Sequence, residues 1–441
     1  MRSLSELLFV VAIASAGAPS AYAREPLRPE PSRTPTSSLA ELIRRADRDA
    51  LHADPGWLSL LHYEKEWLPP RTRSRASSEG FFLSENGNRD PRAELHATLR
   101  GFFDPGAVVR DDEHPQCAFV ARRHWLTLRL EVQEGVLPPI ECPHYERWRA
   151  GLDAQGLTLI FPEGSMNNPA SMFGHTLLRV DSARSGGTEE TLGYAVDFTA
   201  NTGDDRGLVY ALKGMLGFYP ALFAVRPYYE QLKRYADWEN RDIWEYRLDV
   251  DPSELDFLLM HLWELRGVQF PYYFFTKNCS YELLRLLEIG IADLEASSRF
   301  RGPVVPIDTV RAVVAHPGLA VGTHYRASPA TQLRADLRSL SRPDRSLALA
   351  IAEGRLDPAD ETLGEHPPAS RARILDVAYD RLRYEYLAEQ TSEKASRRLS
   401  RRILIARSQV DGPASPVAEV PDTRPDQGHG TSLLALRTGW R

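Results

Sequence analysis

Apolar and polar positions alternate in two rhythms along the middle of the chain. The runs "LTLIFPEG" (157–164), "HTLLRVDS" (175–182), "TLGYAVDFTAN" (191–201) and "DIWEYRLDV" (242–250) are short, apolar or alternating, and bounded by turn residues. They read as strands, the second and third forming part of an antiparallel hairpin or meander. "DPSELDFLLMHLWELRG" (251–267) has the longer helical rhythm, with Asp-Pro at its start, Glu254 in the first turn and Gly267 at its end. "YYFFTKN" (272–278) is extended and aromatic, and "CSYELLRLLEIG" (279–290) is amphipathic at helical spacing. Between these, 207–237 is Gly- and Tyr-rich and reads as irregular.

The flanks have weaker patterns. Residues 38–68 read as helical, and "GFFLSENGNRDPRAELHATLRGFF" (80–103) as strand, turn at Asn86-Gly87, then helix. Residues 306–411 read as mostly helical, with Leu375, Ala378, Tyr379, Leu382 and Tyr386 on one face. Residues 412–428 are Pro- and Asp-rich, a linker, and "HGTSLLALRTGW" alternates like the first strand of a β-rich domain. No solenoid-length repeat is present.

Composition narrows the class. Hydrophobic residues make up 42% and charged residues 26% of the 441, as in soluble globular proteins, and a net charge of −6 argues against a nucleic-acid partner. At the N-terminus, Arg2 precedes the apolar run "LLFVVAIASAGA" and the small-residue site "SAYA", which predicts a secretory signal cut after Ala23. Residues 24–37 then form a Pro- and Arg-rich leader. No later run reaches transmembrane length. Export permits disulfides. There are three cysteines, and the simplest partition pairs Cys117 with Cys142 and leaves Cys279 free. Three free thiols is the other reading.

Cys279 stands at a predicted helix start, after Lys277-Asn278. Unpaired backbone N–H groups and the positive dipole end favour a thiolate there and could serve as an oxyanion hole. A small buried hydrophobe near a helix start fits the same residue. His175 is the candidate base, because it opens a strand after a loop holding Asn168 and Ser171. Asp197, on the next strand, is the expected third group to orient the ring, with Asn201 the second choice. No HExxH, paired CxxC or close His pair exists, so neither a metal site nor a cofactor is expected. The arginines of "SRRLSRRILIARS" (396–408) fit a solvated helix end, or a peripheral contact with anionic lipid.

"NNPASMFGHTLLRV", "YAVDFTANTGDDRGLVYALKGMLGFYP", "PYYEQLKRYADWENRDIWEYRL" and "HLWELRGVQFPYYFFTKNCSYELLRLLE" together resemble the bacterial family of the Lnb N-terminal periplasmic domain, over about residues 115–300. The namesake is an intramembrane lipoprotein transacylase. Its extracytoplasmic domain is similar to a circularly permuted papain-like (NlpC-type) fold, with the histidine before the cysteine in the chain. The resemblance implies that Cys279 is the nucleophile and His175 the base, with Asp197 as the polar strand group. Asn168, Ser171, Tyr273 and Asn278 would then lie around them. Lnb has several membrane spans and this chain shows none, so substrate and membrane geometry do not carry over with the motif.

The expectation is an α+β chain. It comprises a signal peptide (1–23), a leader (24–37), an N-terminal α+β module (38–112), a permuted papain-like catalytic domain (113–302), a helical extension (303–411), and a linker with one strand of a further β-rich domain (412–441). The expected protein is periplasmic and acts as a thiol acyltransferase or hydrolase on envelope lipid or lipoprotein. One alternative is a cell-wall peptidase or amidase acting on peptidoglycan. The other is a silent envelope scaffold in which Cys279 is structural. Oligomeric state is left open.

Overall fold

The computed structural model describes residues 35–67, 70–164, 172–183, 192–387, 392–411, 418–420 and 423–430. The expected signal peptide, nearly all of the leader, Asn168, Ser171 and the last predicted strand lie outside the described residues. The fold is α+β.

The chain begins with α1 (Pro35–Arg48) and α2 (Pro55–Leu60). Pro55 sits in the first turn of α2, and Asp54 caps it by accepting from the Gly56 N–H at 2.8 Å. A hairpin of β1 (Tyr63–Trp67) and β2 (Pro70–Ser74) follows, where the helical reading had run on to residue 68. Y-E-K-E-W has period two, and Pro69-Pro70 cannot continue a helix. Next come α3 (Pro91–Phe103), α4 (Pro115–Ala118), α5 (Val120–Arg129) and α6 (Pro143–Leu152). The strand expected at 80–84 is absent, and turns and bends occupy 79–89. There the buried Glu94 carboxylate accepts from the Leu83 and Ser84 N–H groups, which a ladder would otherwise use. Cys117 and Cys142 form a disulfide that ties α4 to the start of α6.

The centre is a seven-stranded sheet: β3 (Ala154–Pro162), β4 (Leu177–Ser182), β5 (Tyr194–Ala200), β6 (Tyr219–Pro227), β7 (Ile243–Leu248), β8 (Phe270–Tyr272) and β9 (Ala320–Arg326). Its spatial order is β8-β6-β5-β4-β3-β7-β9, with every pairing antiparallel. The stretch 207–237, read as irregular, holds α7 (Gly207–Leu216), β6, and α8 (Tyr228–Leu232) running into a π-helical turn at Lys233–Trp238. It was hidden because α7 is apolar nearly all round and because prolines bound or interrupt β6.

One face of the sheet packs on α9 (Pro252–Glu264), α10 (Cys279–Gly290), α11 (Pro306–Val314) and the N-terminal module through one continuous core. The other face is covered by Tyr228, Tyr235 and Ala236 over Ile160, Leu177 and Ala195. β9 lies in the stretch expected to be helical extension, yet it closes the sheet edge beside β7. Val310, Val313 and Leu319 belong to the central core, whereas a separate core begins at Leu333. That second core holds α12 (Pro329–Ser339), α13 (Arg342–Ala352), α14 (Pro368–Leu387) and α15 (Glu393–Ser408). On the arginine-rich α15, Arg397, Arg402 and Arg407 pair with Glu393, Asp357 and Asp376. Among the described residues no helix is long and apolar enough to cross a membrane.

Candidate active site

Antiparallel order gathers one end of the sheet. The end of β5 and the starts of β4 and β6 lie together there, and the paired ends Tyr219 and Tyr272 bring the end of β8 alongside. α10 starts seven residues after β8 and packs across β4 and β5. Asn278 defines its first turn. Its side-chain oxygen accepts from the Tyr281 N–H, while its amide donates to the carbonyls of Phe274 (3.1 Å) and Val304 (2.9 Å). Asn278 is therefore a positioning residue that fixes Cys279 as the first helical residue. His175 is placed from the other side. Its N–H donates to the Pro162 carbonyl at 3.1 Å, and Gly174 before it has φ +87°. A side chain at Gly174 would drive into the Phe161 ring, so the residue before the histidine needs to be glycine.

The two side chains meet. Cys279 Sγ lies 2.9 Å from His175 Nδ1, although 104 residues separate them in the chain. Cys279 is the free cysteine and is buried; His175 keeps partial access to solvent. Burial pushes the thiol up to about 11, against the helix-start expectation of a lowered pKa. Backbone N–H groups of Thr176, Ser280 and Cys279 and the Tyr272 hydroxyl pull the other way without prevailing. Burial, then the charges of Arg241 and Arg234, push the imidazole down to about 3. Burial thus favours the neutral form of both groups.

Asp197 does not hold the ring. It makes no ion pair with His175 within 4.0 Å, and its carboxylate instead meets Arg226 at 3.4 Å. Register is the reason: Leu178 pairs with Val196, so continuing the ladder puts Thr199, not Asp197, level with His175. Desolvation raises the Asp197 pKa, and one carboxylate oxygen has no hydrogen-bond partner. Asn201 forms a turn at the end of β5, accepting from the Gly203 N–H. The Tyr273 ring lies against Gly217.

Two neighbours escaped the sequence reading. Tyr272 is hydrogen-bonded to Cys279, and burial raises its own pKa well above the ordinary value. The aromatic run 272–275 was visible, but only the strand register tells which tyrosine faces the sulfur. Tyr235 is the other. Its ring lies 5.8 Å from that of His175 and carries the guanidiniums of Arg241 and Arg234 at 5.3 and 5.6 Å. Its signal was the π-helical turn, a feature that often marks functional sites. No group of three or more metal-ligating side chains occurs among the described residues.

The family model described as the Lnb N-terminal periplasmic domain matches residues 144–316. Two models, each described as a domain of unknown function, match the flanks: DUF7843 over residues 49–129 and DUF7842 over 323–419. No curated protein and no solved structure matches the chain. The first match supports a periplasmic envelope protein and covers both Cys279 and His175.

Proposed function

We propose that this chain, whose residues 144–316 belong to the Lnb N-terminal periplasmic domain family, is a cysteine-dependent acyltransferase or hydrolase of the cell envelope. The observation that carries the reading is the 2.9 Å contact between Cys279 Sγ and His175 Nδ1 at a helix start. A nucleophile on a helix N-terminus, packed against a sheet that brings a histidine from earlier in the chain, is also what a permuted papain-like core requires.

In this reading the sulfur attacks the carbonyl carbon of an ester or amide as its proton passes to His175 Nδ1. The oxyanion that forms needs donors, and the N–H groups already directed at the sulfur, those of Thr176, Ser280 and Cys279, are the candidates. Collapse breaks the C–O or C–N bond, and His175 returns the proton to the departing alcohol or amine. Water or an amine then attacks the thioester, giving up its proton through His175 and releasing the thiol. Tyr272 steadies the sulfur. Envelope lipid or lipoprotein is the favoured substrate class, and peptidoglycan peptide the alternative.

One observation favours a second reading, a scaffold with a structural cysteine: the thiol is buried and its pKa is raised to about 11. The test is to incubate the purified chain with lipopeptides and with muropeptides separately and to measure intact mass. An acyl adduct on Cys279 with lipopeptide, absent from Cys279→Ser, supports the proposal. Turnover of muropeptides alone assigns a peptidase, and no turnover of either leaves the scaffold.

A further inference from the structure

Helix α7 is built inside out for a surface helix. Residues 207–218 contain a single charge, Lys213. The helix rests on the protein through Tyr210 and Gly214, where a side chain at Gly214 would collide with the Phe274 ring. Its outward face is apolar: Leu208 (74% exposed), Val209, Leu212, Met215 and Leu216, followed by Phe218 (68%). A helix apolar all round is normally buried, and an exposed apolar patch of this kind marks an interaction surface.

The patch continues to the candidate active site. Met172 and Phe173, just before His175, and Phe275, four residues before Cys279, are exposed as well. Among the described residues, nine of the seventeen exposed large hydrophobic side chains thus belong to segments at this one end of the sheet. The segments 172–174, 207–218 and 273–276 contain no acidic residue. Lys213, on α7, is held by Asp205 at 2.7 Å, and Arg206 stands exposed at the helix start.

We propose that α7 and its neighbours are a bilayer-docking surface, with the apolar face seated at the boundary between lipid headgroups and acyl chains. A second copy of the chain fits less well. A ten-residue helix is about 15 Å long and about 10 Å across. That strip by itself, without the flanking Met172, Phe173, Phe218 and Phe275, is smaller than the roughly 800 Å² per partner of a standard protein interface. A bilayer needs no matching surface, accepts an all-apolar face, and leaves Arg206 and Lys213 at headgroup level. The proposal rests on the acyl-transfer reading only for its purpose, because binding needs no chemistry at Cys279.

The experiment is flotation of the chain from Arg24 onward, free of the expected signal peptide and carrying Cys279→Ser, with vesicles of phosphatidylethanolamine and phosphatidylglycerol. We expect the protein to float, and Leu212→Glu with Leu216→Glu to weaken partition by about tenfold or more. Both positions are exposed, and an unchanged thermal melt confirms that the double variant folds. Failure of the Cys279→Ser protein to float, or flotation untouched by the two glutamates, overturns the proposal. So does a lipid-free dimer that the glutamates dissolve, since the occupant would then be a second copy. Lost flotation with retained turnover by the wild type would remove the docking surface and leave the proposed function standing. Flotation without turnover would do the reverse.

Discussion

Two histidine sites, one at the sheet end and one against the N-terminal module, behave as opposites. At the sheet end, His175 meets a thiol, keeps some access to solvent, and is bordered by exposed apolar surface. Between the N-terminal module and α9, His62 Nε2 lies 3.1 Å from His261 Nε2, and both rings are sealed. Beside the second pair, Arg122 is 0% exposed, bonded to Glu94 and Glu264, and sandwiched by the rings of Phe81 and Phe119. Burial lowers the imidazole pKa in both clusters. A perturbed histidine therefore does not by itself distinguish the proposed site here. What separates the clusters is a thiol, helix-start N–H groups around it, and a histidine with some access to solvent.

The largest expected difference is in stability. Arg122→Ala leaves two buried carboxylates without their shared cation and should cost about 3–5 kcal/mol in denaturant unfolding. Cys279→Ser keeps a hydrogen-bonding group in place and should cost about 1 kcal/mol. Equal losses would break the division into a structural and a working cluster. Next in size, replacing both Cys117 and Cys142 by serine should cost about 3 kcal/mol, as the loop they close predicts. Cys279 alkylation should stay unchanged in that variant. A large change in Cys279 reactivity would mean that the sealed side shapes the site.

The smallest effect is one of pH. His62, His175 and His261 have folded pKa values below the ordinary 6.5, so below that pH the unfolded chain binds more protons than the folded one. Their contribution to stability is full above about 6.5 and falls as pH drops, for His175 down to about 3. Glu94 and Asp197, raised by burial, act in the opposite sense, starting above their ordinary values of 4.5 and 3.8. Melting temperature should therefore fall between pH 6.5 and 5. Gln at both His62 and His261 should flatten that fall more than His175→Gln does, because only His175 touches solvent. The reverse order would show that the sheet-end cluster is the better sealed of the two.

Legibility followed the range of the physics involved. α9 was readable because its capping box and periodicity are local, and the structure has both. Cys279 and His175 could be singled out because each sits at a recognisable boundary, a helix start and a strand start. Asp197 could not be resolved, since a two-residue difference in register between β4 and β5 decides which side chain lies beside the histidine. Burial reversed the expected direction of the thiol pKa, because a helix start lowers it only as far as desolvation allows. α7 and β6 were invisible for a related reason. Pattern reading assumes that apolar residues face inward, and α7 turns its apolar face out.

The central claim is that His175 serves the Cys279 thiol. The most direct test is the rate of Cys279 alkylation by iodoacetamide in the folded protein, followed by mass spectrometry from pH 6 to 10, for wild type and His175→Ala. The account predicts that the wild-type thiol reacts at neutral pH and that the variant is slower by about tenfold or more, as loss of a proton-accepting partner implies. Equal rates for the two proteins, or a wild-type thiol silent until its raised pKa is approached, would contradict it.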